Sequence, residues 1–565
     1  MSAARCPKLG RSGAQAILDA VLDEGVEVVF GYPGGAILPL YDALHGSSLK
    51  HVLCRHEQGA ALAADGYARS TGAVGVCIAT SGPGVTNLIT GLANAFSDSV
   101  PVVALTGQVS TQVLGTDAFQ EIDTLGLTMP VVKHSFLVRN PDDLPWVLAE
   151  AFELARSGRP GPVLVDLPKD VQLAHLTSAS RPRPQAPRLV ETVAPPDLGS
   201  ALELLRSSRR PIIYAGGGVG MSGAVDVFRR FVEAARLPCV TTLKGLGLLP
   251  PGHVANLGML GMHGLEAANR AVQRSDLLVV LGARFDDRVT GKLAGFAPGA
   301  RVLHVDIDAA ELGKVRAADV AIASDLAPVL SGLIAELGGP LEIADWRHEC
   351  AQLRERHAWD YDPPHEQVYA PRFLKALSAA QGPNGVITCD VGQHQMWVAQ
   401  HCGVHRPEQH LSSGGLGTMG YGLPAAIGAQ VGRPDASVIN VSGDGSFMMN
   451  VQELATLVRY QLPVKIVLLD NSCLGMVRQW QELFLDARYS ETDLSDNPDF
   501  VGLAQAFGLE AFRVSSREQE ASAIERLLRT TGPALAHVVL DPKANLWPFV
   551  PPGHDNSTIW TEDPR

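Results

Sequence analysis

Short runs of consecutive apolar residues, rich in valine, leucine and isoleucine, alternate with Ala- and Leu-rich stretches along most of the chain. Runs that scarcely alternate with polar positions are typical of parallel strands buried on both faces. They fall into three groups of predicted strands: 28–30, 74–79, 102–105 and 163–166; 212–214, 277–281 and 302–305; and 386–388, 438–441, 465–469 and 536–540. The pattern predicts an α/β fold with three doubly wound parallel-sheet domains.

Proline-rich and polar segments divide the three groups. The segment 178–200 holds five prolines and is predicted to be a linker, and an amphipathic stretch at 345–359 runs into a second break near Asp362. We expect an N-terminal domain over 1–180, a central Rossmann-like domain over 195–345 and a C-terminal domain over 370–545. The Pro-rich tail, 546–565, is expected to be a strap or lid, or disordered.

Composition narrows the choice of partners and compartment. The formal net charge of −13 argues against nucleic acid or an anionic membrane as the main partner. Eight scattered cysteines without a CxxC pair fit a reducing compartment and no structural zinc. No apolar run approaches the roughly 20 residues that span a bilayer, and no secretory signal is visible. A cytoplasmic location is therefore expected.

The segment 441–450 (Val-Ser-Gly-Asp-Gly-Ser-Phe-Met-Met-Asn), together with 464–471, is the most informative part of the chain. It predicts a strand, a Gly-rich turn, a helix and a second strand, with Asp444 after the first strand and Asn471 after the second, 27 residues later. A parallel crossover brings both strand ends to one sheet edge. There the two side chains can bind one hard cation, and the helix N-terminus can bind a diphosphate. A generic β-turn-helix with a solvated aspartate is the alternative.

Glu57 is a second candidate, at the start of a helical stretch over 55–69 that is small and apolar on most faces. Such a helix is expected to be buried, and a buried carboxyl suits a proton-sharing role. A glutamate that merely stabilises the helix start through the helix dipole is the common alternative. The Asp444 motif, 387 residues downstream, favours the catalytic interpretation.

The Gly-Asp-Gly and Asn spacing resembles the thiamin diphosphate motif, and the similarity covers nearly the whole chain. Long segments resemble the large catalytic subunit of biosynthetic acetolactate synthase (acetohydroxyacid synthase): 31–39, 80–87, 115–121, 159–163, 282–288, 390–397 and 414–420. The resemblance implies an enzyme that decarboxylates pyruvate and joins the remaining two-carbon unit to pyruvate or 2-oxobutyrate. The products, 2-acetolactate and 2-aceto-2-hydroxybutyrate, lead to branched-chain amino acids. Thiamin diphosphate, Mg²⁺ and FAD are the implied cofactors.

The resemblance also implies roles for individual residues in the thiamin diphosphate site. Glu57 is the acid that activates the cofactor, and Asp444, Asn471 and the carbonyl of Cys473 bind magnesium. The cysteine at 473 departs from the acidic residue often found there, which a backbone ligand tolerates. Met419 lies beneath the cofactor. The remaining implied contacts of this cofactor are Pro33, Gln393, His394, Gly443, Gly445, Ser446, Gly475 and Met476.

The central domain carries the implied FAD segments. Glycines after a strand allow a backbone to approach a pyrophosphate closely, and a later acid can accept ribose hydroxyls. A Gly-Gly-Gly run alone also marks any tight turn, so FAD is inferred from the resemblance and not from the residues. The implied contacts are Arg159, Gly216, Gly217, Gly218, His263, Gly282, Arg284, Asp306, Ile307 and Asp325.

Several residues are candidates for contacts with the substrate. A 2-oxo acid carries a carboxylate, for which the planar guanidinium of Arg284 is a natural partner, with surface pairing to a neighbouring aspartate as the alternative. Trp480 occupies the position at which family members favour 2-oxobutyrate over pyruvate, although it could instead cap the core. Gln120 and Phe119 are expected to line the same pocket, and Lys169 its mouth.

The resemblance implies partners as well. Glu57 and Asp444 come from two subunits in the family, which predicts a homo-oligomer, a dimer or a tetramer, and a separate small regulatory subunit is expected. Three alternatives stay open at this point: a pyruvate oxidase with redox-active FAD, a flavin-free catabolic acetolactate synthase, and a non-catalytic Rossmann-type nucleotide-binding protein.

Overall fold

The computed structural model describes residues 10–177, 198–363 and 366–564. Its strands form three six-stranded sheets in which all recorded pairings between strands are parallel. The predicted fold class is confirmed. Most of the predicted linker, 178–197, lies outside the described residues.

The N-terminal sheet has the strand order β2-β1-β3-β4-β6-β5. Its strands are β1 (Val28–Gly31), β2 (Lys50–Leu53), β3 (Gly75–Ala79), β4 (Val102–Gln108), β5 (His134–Leu137) and β6 (Val163–Pro168). The helices of this domain are α1 (Gly13–Asp23), α2 (Leu38–Leu44), α3 (Glu57–Thr71), α4 (Pro83–Ser97), α5 (Thr124–Thr128), α6 (Leu144–Arg156) and α7 (Lys169–Leu173).

The central sheet has the order β12-β11-β10-β7-β8-β9. Its strands are β7 (Pro211–Ala215), β8 (Cys239–Thr241), β9 (Asn256–Met259), β10 (Leu277–Leu281), β11 (Arg301–Asp306) and β12 (Val320–Ala323). The helices are α8 (Gly199–Ser207), α9 (Gly217–Met221), α10 (Val225–Ala235), α11 (Glu266–Arg274), α12 (Asp287–Thr290), α13 (Leu326–Leu337) and α14 (Ala344–Arg356). Helix α14 lies beyond the boundary expected at 345, yet Trp346, Cys350 and Leu353 are part of this domain's core.

The C-terminal sheet has the order β14-β13-β15-β16-β18-β17. Its strands are β13 (Val386–Cys389), β14 (His410–Ser412), β15 (Val438–Gly443), β16 (Lys465–Asp470), β17 (Glu510–Val514) and β18 (Ala534–Val539). The helices are α15 (Ala370–Gln381), α16 (Gln393–His401), α17 (Gly422–Gly432), α18 (Asp444–Phe447), α19 (Leu454–Arg459), α20 (Gly475–Phe484), α21 (Phe500–Ala506) and α22 (Glu520–Arg529).

In each sheet the chain reverses its direction of growth across the first strand of the domain. In each domain the chain leaves the first strand towards one side of the sheet and later returns to pair with it on the other side. As a result, β1 and β3, β7 and β10, and β13 and β15 are neighbours. Loops leave such a pair of strands in opposite directions and open a crevice at the carboxyl edge. Ligand sites are therefore expected beside these three pairs.

The N-terminal and C-terminal domains share one hydrophobic core, in which α3 packs against α17. Small residues allow the two helices to approach closely. A side chain at Gly66 would collide with the backbone of Ala425, and one at Gly428 with the carbonyl of Ala63. Because α3 begins at Glu57, this packing fixes the position of the candidate acid.

The C-terminal tail is a strap across the central domain. Val550 donates its N–H to the carbonyl of Met262 over 2.8 Å, and Lys292 donates to the carbonyl of His554 over 2.9 Å. The side chain of Asn556 is buried and donates to Asn269 over 3.2 Å. The tail thus has a fixed place next to the cavity described below.

Candidate active site

Three helices begin at the carboxyl edge of the C-terminal sheet. Gln393 starts α16 after β13, Asp444 starts α18 after β15, and Gly475 starts α20 after β16, and these three strands are neighbours. The free N–H groups and the dipoles at helix N-termini attract anions. The edge is therefore suited to a phosphorylated ligand.

The predicted metal residues lie buried at this edge. Asp444 and Asn471 follow the adjacent strands β15 and β16, and Cys473 comes two residues later. The amide nitrogen of Asn471 donates to Gln393 Oε1 over 3.0 Å, which directs the amide oxygen elsewhere. Asp444 accepts one hydrogen bond, 3.0 Å long, from Asn497 through Oδ2. A carboxylate oxygen, an amide oxygen and a carbonyl are ligands that Mg²⁺ accepts.

The electrostatics of this edge favour a cation. Burial and the nearby carboxylate of Asp470 raise the pKa of Asp444 to about 7. Burial also acts on Asp470, but the 2.7 Å contact with His537 and the N–H of Ser472 outweigh it and lower the pKa of Asp470. Two close carboxyls repel each other when both are ionised. A bound divalent ion would remove that repulsion.

The predicted diphosphate residues surround the same point. The N–H of Gly443 donates to His394 Nε2 over 3.2 Å, and burial lowers the pKa of His394 to about 3, so the ring is neutral. Ser446 donates to the carbonyl of Gly443 over 3.2 Å. A side chain at Gly475 would lie 2.1 Å from Gln393 Oε1, so a larger residue here would displace the Gln393 amide.

Met419 approaches this edge from the loop before α17. The Cε atom of Met419 lies 3.8 Å from the position that a Cβ on Gly445 would occupy, and the side chain is half-buried. The predicted cofactor contacts Gly443, Gly445, Ser446 and Met419 thus lie together.

A cavity of about 1050 Å³ opens beside β7 and β10, at the switch point of the central sheet. This volume lies at the upper end of the range for ligand pockets, roughly 300–1,000 Å³. All ten predicted FAD contacts line it: Arg159, Gly216, Gly217, Gly218, His263, Gly282, Arg284, Asp306, Ile307 and Asp325. Met476 and Trp480 also line the cavity and connect it with the C-terminal edge.

Some of these ten residues have contacts of their own. Gly216, Gly218 and Gly282 lack space for a Cβ because the two loops touch each other, so loop packing alone can explain these glycines. Arg159 pairs with Asp308 at 3.2 Å and with Glu311 at 3.0 Å.

His263 has a buried Nδ1 atom without a hydrogen-bond partner among the described residues, and burial lowers the pKa of this ring to about 3. A buried polar atom without a partner is costly, so a ligand atom here would stabilise the site.

Trp480 belongs to an aromatic cluster that includes the strap. Its ring centroid lies 5.7 Å from that of Phe484 and 6.3 Å from that of Phe549. Phe549 in turn stacks on His263 at 5.4 Å, and Phe484 stacks on Trp560 at 6.0 Å. The buried Nε1 atom of Trp480 has no partner among the described residues. The indole is thus held firmly at the cavity wall.

The remaining candidates lie at the carboxyl edge of the N-terminal sheet. Glu57 is buried and accepts a 3.0 Å hydrogen bond from Asn87 through Oε2. The backbone of Gln120 lies against Gly82, where a Cβ would be only 2.8 Å from the Gln120 carbonyl. Phe119 is 88% exposed, Pro33 is exposed, and Lys169 begins α7.

Within the described ranges, no hydrogen bond or ion pair joins Glu57 to Asp444 or Asn471, and neither Glu57 nor Asp444 lines the central cavity. In the single chain, Glu57 therefore lies at the carboxyl edge of the N-terminal sheet, and the metal residues lie at the carboxyl edge of the C-terminal sheet beside its adjoining cavity.

Sequence reasoning missed several residues that hold the candidates in place. They are Asn87 on Glu57, Asn497 on Asp444, His537 on Asp470, and Glu453, which accepts the N–H of Arg55 over 2.8 Å. Asn87 lies within the segment 80–87, so its resemblance to the family offered a signal. The other three have partners far away in sequence and offered none.

The described residues contain no group of three or more His, Cys, Asp or Glu side chains arranged for a metal ion. The predicted magnesium set does not require one, because it combines one carboxylate with an amide and a backbone carbonyl. Among the helices of 10–177, 198–363 and 366–564, none has the length and apolar character needed to cross a membrane.

Family models match all three domains. They are the thiamine pyrophosphate enzyme N-terminal TPP binding domain over residues 11–127, the central domain over 198–333 and the C-terminal TPP binding domain over 390–538. The chain is 56% identical over 550 residues to the acetolactate synthase isozyme 2 large subunit of Escherichia coli, covering 97% of this chain and 99% of that protein. The chain belongs to the acetolactate synthase large-subunit family.

Other acetolactate synthases are also similar over most of their length. A probable acetolactate synthase large subunit of Methanocaldococcus jannaschii is 48% identical, covering 96% of this chain and 94% of that protein. The acetolactate synthase large subunit of Corynebacterium glutamicum is 47% identical, covering 97% and 90%. The resemblance noted in the sequence is confirmed, and the chain is a thiamin diphosphate-dependent acetolactate synthase.

Proposed function

We propose that this chain decarboxylates pyruvate and transfers the remaining two-carbon unit to a second 2-oxo acid, pyruvate or 2-oxobutyrate. The products are 2-acetolactate and 2-aceto-2-hydroxybutyrate, in the first common step of branched-chain amino acid synthesis. The observation that carries the proposal is the arrangement of Asp444 and Asn471 beside three helix N-termini, in a chain 56% identical to an acetolactate synthase large subunit.

Thiamin diphosphate, when bound, supplies the electron sink for decarboxylation and the carbon nucleophile for the second addition. The N-termini of α16, α18 and α20 would bind its diphosphate, together with Gln393 and His394. Asp444, Asn471 and the carbonyl of Cys473 would hold magnesium. The donor set fits, because the bond from Asn471 to Gln393 leaves the amide oxygen of Asn471 for the ion.

Glu57 is the acid proposed to activate the cofactor. Asn87 donates to Oε2 over 3.0 Å and so orients the carboxyl, which leaves Oε1 as the atom that would face the aminopyrimidine ring of a bound cofactor. The Cε atom of Met419 lies 3.8 Å from the position that a Cβ on Gly445 would occupy, which fits a methionine packed under a ring system.

FAD is proposed for the central cavity. The fit rests on the volume of about 1050 Å³, the ten predicted contacts in its wall and the partnerless Nδ1 of His263. Arg284 is exposed at the wall, where its guanidinium can bind the substrate carboxylate. Trp480 forms an apolar wall that can reward one additional methylene in the second substrate by about 1–3 kcal/mol.

We propose that the complete site forms between two copies of the chain. Glu57, Pro33, Gln120, Phe119 and Lys169 of one copy would face the C-terminal edge of the other. An 88% exposed phenylalanine supports this, because such a side chain is expected to be covered in the working enzyme. A dimer or tetramer follows from this arrangement.

A separate small regulatory subunit is proposed as a further partner, since the relatives are named large subunits. Seven cysteines of the described residues are free thiols, which supports the expected reducing, cytoplasmic location.

The test uses purified protein with pyruvate, magnesium and thiamin diphosphate, with and without FAD. Acetolactate is converted to acetoin by acid and measured by its colour, and peroxide is measured in parallel. We expect acetoin and no stoichiometric peroxide. Peroxide without acetoin would indicate a pyruvate oxidase, and full activity without FAD would indicate a flavin-free enzyme.

A further inference from the structure

Asp98, directly after α4, has a carboxylate beside the central cavity that accepts four hydrogen bonds. Its side chain is 2% exposed. Oδ2 accepts from Arg69 over 2.7 Å, from Lys244 over 3.1 Å and from the N–H of Gly414 over 3.0 Å. Oδ1 accepts from the N–H of Gly415 over 2.7 Å. Four hydrogen bonds to one buried carboxylate hold the donor groups in place.

These donors come from all three domains. Arg69 lies on α3 of the N-terminal domain, Lys244 follows β8 of the central domain, and Gly414 and Gly415 follow β14 of the C-terminal domain. Asp65, also fully buried, binds Arg69 over 2.6 Å, so two carboxylates face two cations. A buried ion group with balanced charges and good hydrogen bonds is strongly destabilised when one member is removed.

The loop held by Asp98 runs from Ser413 to Met419. A second anchor lies on α4 itself, where Asn94 Oδ1 accepts from Ser413 over 2.6 Å and from Thr418 over 3.1 Å. Residues 413–417 line the central cavity, as do Asp98 and Lys244. The loop therefore connects the wall of the proposed FAD cavity with the methionine at the thiamin diphosphate edge.

Helix α4 carries a third contact at its other end, where Asn87 binds Glu57. From Asn87 to Asn94 the helix rises about 10 Å. One rigid element thus orients the proposed activating acid and anchors the Met419 loop.

We propose that Asp98 is a positioning residue that holds the loop 413–419, and with it Met419, in place for thiamin diphosphate. The inference rests on the proposed function, because the role of Met419 belongs to it. Asp98 itself touches no reacting atom. It acts through the N–H groups of Gly414 and Gly415. Because Lys244 of the central domain also donates to Asp98, the position of the loop depends on that domain as well.

Asp98→Asn is the decisive variant, because an amide has only one acceptor oxygen. Whichever way the amide is turned, its NH₂ group faces Gly415 N–H or the three donors on the other oxygen. Each hydrogen bond to a charged acceptor changes an equilibrium by roughly tenfold or more. Asp276→Asn is the matched control, since Asp276 accepts two consecutive N–H groups, from Arg209 and Arg210, both over 2.8 Å and far from the loop in the fold.

The first measurement is amide hydrogen exchange of cofactor-free protein, which does not depend on activity. We expect Asp98→Asn to speed exchange in the peptide covering 413–419 at least tenfold, and Asp276→Asn to leave that peptide unchanged. The second is calorimetric titration with thiamin diphosphate and magnesium. Asp98→Asn should weaken binding at least tenfold, with a parallel loss in the acetoin assay at fixed cofactor concentration.

Unchanged exchange in 413–419 would overturn the proposal. So would faster exchange with cofactor affinity and acetoin formation within twofold of wild type. If Asp98→Asn does not fold, Lys244→Met takes its place, since it removes the hydrogen bonds that Lys244 donates to Asp98 Oδ2 and to the carbonyl of Ser412 beside the loop. It should show faster loop exchange and two- to fivefold weaker cofactor binding, and wild-type values would refute the proposal. A wild type that forms no acetoin refutes the proposed function, while exchange and titration still decide the role of Asp98.

Discussion

Glu57 has one carboxylate oxygen bonded to Asn87 and the other available to a ligand. Glu57→Gln preserves the size of the side chain and an acceptor for Asn87, but the amide cannot exchange the proton. We expect acetolactate formation to fall about a hundredfold or more, the usual contribution of a positioned acid or base. Magnesium-dependent binding of thiamin diphosphate should stay within a few-fold of wild type. A variant with near-normal activity would contradict the assigned role.

The magnesium affinity of the site should depend on pH through the carboxyl of Asp444. Its pKa is raised to about 7 without a cation, so below pH 7 a proton competes with magnesium for the carboxylate. The apparent magnesium affinity should therefore fall as the pH falls, approaching tenfold per unit between pH 6.5 and 5.5. Calorimetric titration at several pH values measures it. Asp444→Asn should bind magnesium weakly with little pH dependence, and a flat profile for wild type would disprove the prediction.

The residues that sequence predicted and those it missed differ in the distance along the chain to their partners. Asp444 and Asn471 end adjacent strands of one crossover, so their proximity follows from the hydrophobic pattern alone. Asn497, by contrast, reaches Asp444 from a loop after α20, and Glu453 reaches Arg55 from another domain. Which polar side chains meet across domains depends on packing, and no local pattern encodes it.

At the scale of elements, the start of α3 depends on Glu453. This carboxylate is fully buried, accepts from Arg55 N–H over 2.8 Å and from Thr456 over 2.6 Å, and would collide with any side chain at Gly59. Burial raises its pKa, although Thr456 and the N–H groups of Arg55 and His56 act in the opposite direction. Glu453 is thus the C-terminal domain's contact with the helix that presents Glu57.

We expect Glu453→Ala to destabilise the protein by about 1–3 kcal/mol, because the Arg55 N–H loses its acceptor inside the protein. Since the Glu57 end of α3 is then less constrained, acetolactate formation should also fall. Glu453→Gln keeps one acceptor and should show a smaller loss of both. Denaturant unfolding and the acetoin assay measure the two effects. Equal stability and activity in all three proteins would show that this contact is unimportant.

Secondary structure could be predicted where strands are buried on both faces. The central strands β3, β4, β10, β15 and β16 were predicted within three residues of their observed ends. Shorter strands towards the edges of the sheets, such as β2, β12 and β17, were missed, because one face is exposed and the apolar run is interrupted. The predicted boundary at 345 left helix α14 outside the central domain for a similar reason. Helix α14 contributes only a few apolar residues to the central core, too few to mark it as part of that domain.

At the scale of the molecule, the two groups of candidate residues must meet to form one active site. Apolar side chains that follow strands at the carboxyl edge of the N-terminal sheet are exposed in the single chain, among them Phe119 at 88% and Tyr32 at 40%. Exposed apolar surface of this kind is expected to bind a partner. A second copy is the partner that supplies the missing half, because each chain carries one N-terminal and one C-terminal edge.

Mixing two inactive variants tests this arrangement directly. If Glu57 of one copy works with Asp444 of the other, a heterodimer of Glu57→Gln and Asp444→Asn has one site with both changes and one intact site. Random exchange of subunits should then restore about a quarter of wild-type activity in a dimer, since half of the dimers are mixed and each has one working site of two. If each site lay within a single chain, every site would carry one change and the mixture would stay inactive. Each variant refolded alone is the control, and an affinity tag on one variant, which must co-purify the untagged one, confirms that subunits have exchanged. Recovery of activity therefore requires a shared site and cannot arise from either variant by itself.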